Sequence, residues 1–253
     1  MFTTHIWHQY HLYRQKIVVF AALFGIFILG LSHHSTAQRY EYKRIYDEFY
    51  DDKTVHFGFL FGFGSSRFNV YHSRNVGSGS TSDSSVTIVS PGNFAFQVGG
   101  LVNFKLSDRF DFKTGMNIAL YGREVDYRFN NSPDFPPELR ESTWLEIPLL
   151  LKYKSQRRGN SRMFLDAGIK LGIEANVRKN AASTKRLDTR TGDLSLEYGV
   201  GFEQFFKYFK FTPELRFSHG ITNMFITPTN NNAYARDIQR LNAHTVTLYL
   251  MFE

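Results

Sequence analysis

Hydrophobic and polar positions alternate with period two over residues 55–64, VHFGFLFGFG. Val55, Phe57, Phe59, Phe61 and Phe63 share one face, and His56, Gly58, Leu60, Gly62 and Gly64 share the other. Period two predicts a β-strand, because successive side chains point to opposite faces. A wholly aromatic and branched face set against glycine and polar groups suits a strand between lipid and a packed lumen. Seven further segments repeat the alternation. Their apolar faces run from Phe94 to Phe104, Phe110 to Leu120, Leu145 to Tyr153, Met163 to Ile173, Leu194 to Phe202, Phe209 to Phe217 and Val246 to Phe252. In the segment holding Leu149 and Leu150, Leu149 falls on the lipid face. Leu150 falls on the lumenal face, where a carboxylate could receive an introduced cation.

The predicted connections alternate between long and short. The short ones are 106–109, 155–162 and 206–208. The long ones, 71–92, 128–142, 178–192 and 221–242, are rich in Ser, Asn, Gly and Thr. An even strand count with alternating connections predicts an eight-stranded antiparallel up-and-down transmembrane β-barrel, its short turns and both ends on the periplasmic side.

Only residues 17–31 form a long apolar run, preceded by Arg14 and Lys16 and followed by Ser35-Thr36-Ala37. That is the pattern of a signal peptide over residues 1–37. Residues 38–53, QRYEYKRIYDEFYDDK, place Tyr42, Ile45, Tyr46, Phe49 and Tyr50 at helical spacing among charges. They read as a periplasmic segment, either a tether against the barrel mouth or a docking helix for a partner. Residues 54–253 read as the outer-membrane barrel.

Composition narrows the chemistry. The 253 residues contain no cysteine, so disulfide scaffolds and thiolate metal sites are excluded. Net charge is +7 and falls to +5 without Arg14 and Lys16. The basic residues are scattered, so no nucleic acid is expected as partner. The predicted lumen carries Asp111, Lys113, Glu146, Lys152, Asp166, Lys170, Glu174, Glu197, Glu203, Glu214 and Arg216. Eight strands enclose an interior that side chains fill, and buried charges must pair. Glu197 and Glu203 in such a lumen read as partners of Lys and Arg, not as an acid/base pair. His219 and His244 fall on the apolar face near the outer ends of consecutive strands and read as interfacial anchors. A lipid-modifying hydrolase would need a serine beside a histidine there, and the same-face neighbours along these strands are Phe217, Ile221, Asn242 and Val246. The aromatic cluster Phe202, Phe205, Phe206, Tyr208, Phe209 and Phe211 reads as a membrane-interface girdle.

Three stretches carry a family resemblance. DDKTVHFGF at residues 51–59, ESTWLEIPLLLKYK at 141–154 and YFKFTPELRFS at 208–218 resemble the PorT/SprT family, in order, across residues 51–253. LEIPLLLKY by itself marks the wider outer-membrane barrel family of Bacteroidetes. The resemblance implies a non-catalytic outer-membrane accessory of type IX secretion, which exports proteins bearing a C-terminal sorting domain. It also implies a link to gliding motility in some species. No catalytic, cofactor-binding or metal-binding residues come with it. The partners it implies are outer-membrane lipid and other secretion components, met through the periplasmic segment or the loops, with no small-molecule substrate. The alternatives are a generic small barrel for adhesion or envelope stability and, from another class, a lipid-modifying barrel enzyme. The chain departs from outer-membrane barrels in general by ending on Glu253, with Phe252 penultimate.

Overall fold

The computed structural model describes residues 44–72, 86–129, 138–175, 189–226 and 238–253, which belong to one compact unit, Arg44–Glu253. The expected signal peptide and the start of the 38–53 segment lie outside the described residues. The strands are β1 (Val55–His72), β2 (Val86–Val89), β3 (Asn93–Lys105), β4 (Phe110–Phe129), β5 (Glu138–Lys154), β6 (Ser161–Glu174), β7 (Gly192–Phe205), β8 (Lys210–Gly220) and β9 (Ile238–Phe252). Eight of them close a barrel: β1 pairs with β3, consecutive strands pair from β3 to β9, and β9 returns to β1, all antiparallel. Closure leaves no free sheet edge in the wall, which a strand crossing lipid requires.

β2 lies in a stretch expected to be loop. It pairs only with the far end of β4, from Val86↔Phe129 to Val89↔Asp126. β4 has 20 residues, about twice the 9–11 that a tilted membrane strand needs. Its pairing with β3 stops at Tyr121. The edge beyond is open, and β2 covers it.

The alternation resolves as expected. Phe57 is 72% exposed, and Phe59, Ile118, Leu165, Leu196 and Leu248 likewise turn apolar side chains outward. All eleven predicted lumenal charges are buried. A barrel this narrow needs some positions without a side chain. A Cβ on Gly168 would stand 2.1 Å from the Leu149 carbonyl oxygen, so only glycine fits there. Gly159, at φ +63°, turns the connection between β5 and β6 in the left-handed region. Leu150 is fully buried and is paired with Lys113 on β4 and Gly168 on β6. A cation introduced at Leu150 therefore meets Lys113, not the free carboxylate that the strand pattern allowed for.

Candidate functional site

The lumen is a stack of ion pairs divided by one aromatic ring. In its central layer Lys170 bridges Glu146 at 3.0 Å and Glu197 at 3.2 Å. Arg216 joins Glu197 at 3.4 Å to Glu214 at 2.5 Å, and Lys113 joins Glu214 to Asp166. Tyr121 donates to Glu146 at 2.7 Å. Below them, Glu203 receives Lys152, Arg162 and Lys210, the last at 3.1 Å. The Phe164 ring lies between the two layers, 5.3 Å from the Lys113 ammonium and 4.3 Å from that of Lys152. A ring's negative faces suit a cation on either side. Glu197 and Glu203, which the sequence brings to notice as a pair, belong to different layers and are not partners.

The short-turn mouth is closed by the chain's own N-terminal segment. A five-residue 3-10 turn, Glu48–Asp52, replaces the expected amphipathic helix among the described residues. It inserts Tyr50 into the mouth, where the phenol donates to Glu253 at 2.7 Å and accepts from Lys210. Asp51 receives Arg162 at 2.8 and 3.0 Å and lies 3.7 Å from Lys154, which holds Asp111 at 2.7 Å. The β5–β6 turn straps the segment from outside. The Arg157 guanidinium donates to the Tyr46 and Asp47 carbonyls, and Asn160 accepts from the Tyr46 amide at 2.8 Å. Glu253, at the end of β9, turns its carboxylate into the mouth and also accepts from Asn103 at 2.8 Å.

Electrostatics follow this geometry. Burial pushes the Tyr50 phenol far up, and the Glu253 and Glu203 charges add to it, so it stays protonated as a donor. Burial by itself would raise Asp51, but hydrogen bonds from and the charge of Arg162, with Lys154, hold that carboxyl below its ordinary value. Glu253 behaves alike: burial opposes ionisation, and Lys210 and Lys152 outweigh it.

Two sequence assignments change here. Phe205, counted with the girdle, is 1% exposed and packs edge-on against Tyr50, with Arg157 stacked 3.8 Å from its ring. It shares strand parity with Glu203, which points inward; the aromatic neighbours obscured that signal. Tyr50 leaves the proposed docking stripe for the lumen. Ile45 and Phe49 stay exposed, Tyr46 is half-buried, and Tyr42 lies outside the described residues. Lys154 and Arg162 were also missed. Both keep lumenal parity, two residues past Lys152 and two before Phe164. At the opposite mouth, Met224 and Phe225 fold in against Phe68, Trp144 and Leu241. They are tied by Met224 N–H to the Leu241 carbonyl at 2.8 Å and by a bridge between Thr189 and Phe225.

A family model described as the outer membrane protein beta-barrel domain matches residues 36–226. The chain belongs to this family. The barrel therefore sits in the outer membrane, with its short turns and closed N-terminal mouth on the periplasmic side. No curated protein matches it. Among solved structures, outer membrane protein AlkL in DMPC bilayers is 12% identical, covering 77% of this chain and 89% of AlkL at a TM-score of 0.40. OprG from Pseudomonas aeruginosa is 13% identical, covering 78% and 92% at 0.40. Neisserial surface protein A is 9% identical, covering 79% and 98% at 0.39.

On the outer half of this barrel, His219 and His244 come together as the strand pattern expects. They are register partners with ring centroids 4.3 Å apart. His219 Nε2 is hydrogen-bonded to the Tyr198 hydroxyl at 2.8 Å. Ser65 on β1 faces the same way opposite Val246, one step diagonal to His244, a neighbour that inspection along β8 and β9 does not find. Among the described residues no serine hydrogen-bonds either histidine.

Proposed function

We propose that this barrel is a non-catalytic accessory of type IX protein secretion, of the PorT/SprT kind, serving export of proteins with a C-terminal sorting domain and, in some species, gliding. The observation that carries the reading is the closed lumen. Ion layers fill it, Tyr50 and Phe225 stopper its ends, and nothing the size of a cargo protein passes. Work in secretion then falls to its surfaces, and the periplasmic mouth offers Ile45 and Phe49 beside a rigidly strapped segment. The three resemblance stretches also supply Asp51, Glu146, Lys152, Lys154, Lys210, Glu214 and Arg216 to the buried network. No nucleic acid, cofactor or small-molecule substrate enters this reading.

A deletion strain tests it. Sorting-domain cargo should accumulate in the periplasm, and lipid A mass spectra should be unchanged. An Ile45→Ser/Phe49→Ser barrel should reach the outer membrane at normal abundance yet secrete less cargo. Normal secretion without the barrel would refute the proposal in favour of a generic adhesion or envelope-stability barrel. Altered lipid A would refute the non-catalytic part.

A further inference from the structure

We infer that the outer rim of the β8–β9–β1 wall is a binding site for a phosphorylated lipid headgroup of the outer leaflet. The outward face is apolar along Phe57 to Phe63 on β1, Phe252 to Val246 on β9, and Phe211 to Phe217 on β8, with Ser65 on β1 in register beside Val246 as the first polar position. Above that boundary the row is Arg67, His244 and His219, paired in register across the three strands. The change from apolar to basic side chains thus falls close to one level, where an aromatic and aliphatic membrane band meets the headgroups.

Among the described residues this row has no internal counter-ion. Among the described residues the Arg67 side chain makes no hydrogen bond or ion pair, and no Asp or Glu faces outward on β8, β9 or β1. Arg240, farther out on β9, spends its guanidinium on Asn242 Oδ1 at 2.7 Å and the Ile221 carbonyl at 2.6 Å, and adds a second cation to the same rim. The Tyr198 hydroxyl holds His219 Nε2 at 2.8 Å. That fixes the ring and leaves its Nδ1 for another partner. Unpaired charge at a lipid boundary is costly, so the favoured occupant is anionic. It needs several acceptor oxygens to engage a guanidinium fork and two imidazoles together, which a tetrahedral phosphate provides. It also needs apolar chains to lie on Phe217 and Val246 directly beneath and on Phe63 and Leu248 one row further down. A phosphate carried on a lipid satisfies both requirements, and a free phosphate satisfies only the first. The site is remote from the periplasmic mouth and does not depend on the secretion reading.

The test is native mass spectrometry of the detergent-refolded barrel titrated with diphosphorylated lipid A, its dephosphorylated form and inorganic phosphate. The expected result is one saturable lipid A adduct, none with the dephosphorylated lipid, and no displacement by inorganic phosphate. Affinity should fall about ten-fold in Arg67→Gln and again in His219→Gln/His244→Gln, the size of one lost charge-assisted hydrogen bond each. Arg67→Lys should recover part of the first loss. All three positions lie on the outside, so heat-modifiable gel mobility should stay that of the folded barrel. Equal binding of the dephosphorylated lipid, displacement by inorganic phosphate, or unchanged affinity in folded Arg67→Gln and the double histidine variant would each overturn the inference.

Discussion

Replacing Glu203 by Gln should destabilise the barrel more than any neutralisation at its rim. Glu203 is fully buried and takes Lys152, Arg162 and Lys210 at once. In Glu203→Gln, Arg162 keeps Asp51 and Lys210 keeps Glu253. Lys152 has no second salt bridge, only the more distant charge of Glu253, and is left 4.3 Å from the Phe164 ring. Removing one partner of a buried pair costs about 3–5 kcal/mol, because the stranded ion cannot recover its hydration. The cation–π contact returns roughly 0.5–2 kcal/mol of that, so the net loss is several kcal/mol. Asp51→Asn removes a partner that is only half-buried, and by the measure of exposed pairs it costs about 0–1 kcal/mol. Urea unfolding of the lipid-reconstituted barrel, followed by heat-modifiable mobility, separates the two. At an m of about 1–3 kcal/mol/M, Glu203→Gln should lower the midpoint by about 1 M or more. Asp51→Asn should barely move it. Adding Lys152→Met to Glu203→Gln should restore part of the loss, since the stranded charge is then gone. A Glu203→Gln midpoint equal to wild type, or a double variant weaker than the single, would refute the account of the lumen as a paired ionic core.

Four further outcomes follow from the same geometry. Leu149→Arg places a cation in lipid at about 2–4 kcal/mol. Leu150→Arg crowds a full lumen beside Lys113, so its folded fraction on a semi-native gel should be no higher; good tolerance of Leu150→Arg would contradict the packing. Gly168→Val should abolish closure, because even a Cβ would meet the Leu149 carbonyl at 2.1 Å, whereas Gly192→Ala, with open space around it, should fold normally. The periplasmic latch should open in acid. Asp51 and Glu253 are held below their ordinary values of 3.8 and 4.5, so the stability they contribute is complete above those values and drains as pH falls through the folded values. A spin label at Phe49 should therefore gain mobility only below about pH 4, and mobility gained at pH 6 would assign the latch to other groups. Finally, planar bilayers should show no porin-sized conductance, and Tyr50→Ala should not create one, because Phe164 and both ion layers remain; steady nanosiemens openings in either protein would sink the filled-barrel description.

What the sequence by itself determined is which way each side chain points. Strand parity is a local property of the backbone, so the phenylalanines of β1, the eleven lumenal charges and the adjacency of His219 and His244 were all legible from alternation. Lys154 and Arg162, lumenal cations outside the predicted set, obey the same parity and sit where the strands run farther than the apolar pattern; Lys210 and Arg123 are buried as well. Partnership across the lumen was not legible. It depends on the tilt and stagger at which eight strands close, and no single strand encodes either. Glu197 and Glu203 sit six residues apart on β7, roughly 20 Å along a strand at about 3.4 Å per residue. Closure therefore assigns them to separate layers with Phe164 between the layers. Insertion of Tyr50 and Phe225 into the two mouths was equally hidden. Phe225 belongs to a segment with little periodic pattern, and the helical spacing around Tyr50 points to a docking face instead; the place of each is set by the hole that the finished barrel leaves. A sealed mouth, and a row at the rim where among the described residues the Arg67 side chain has no partner, are thus properties of the closed ring, decided by which residues the tertiary structure brings face to face.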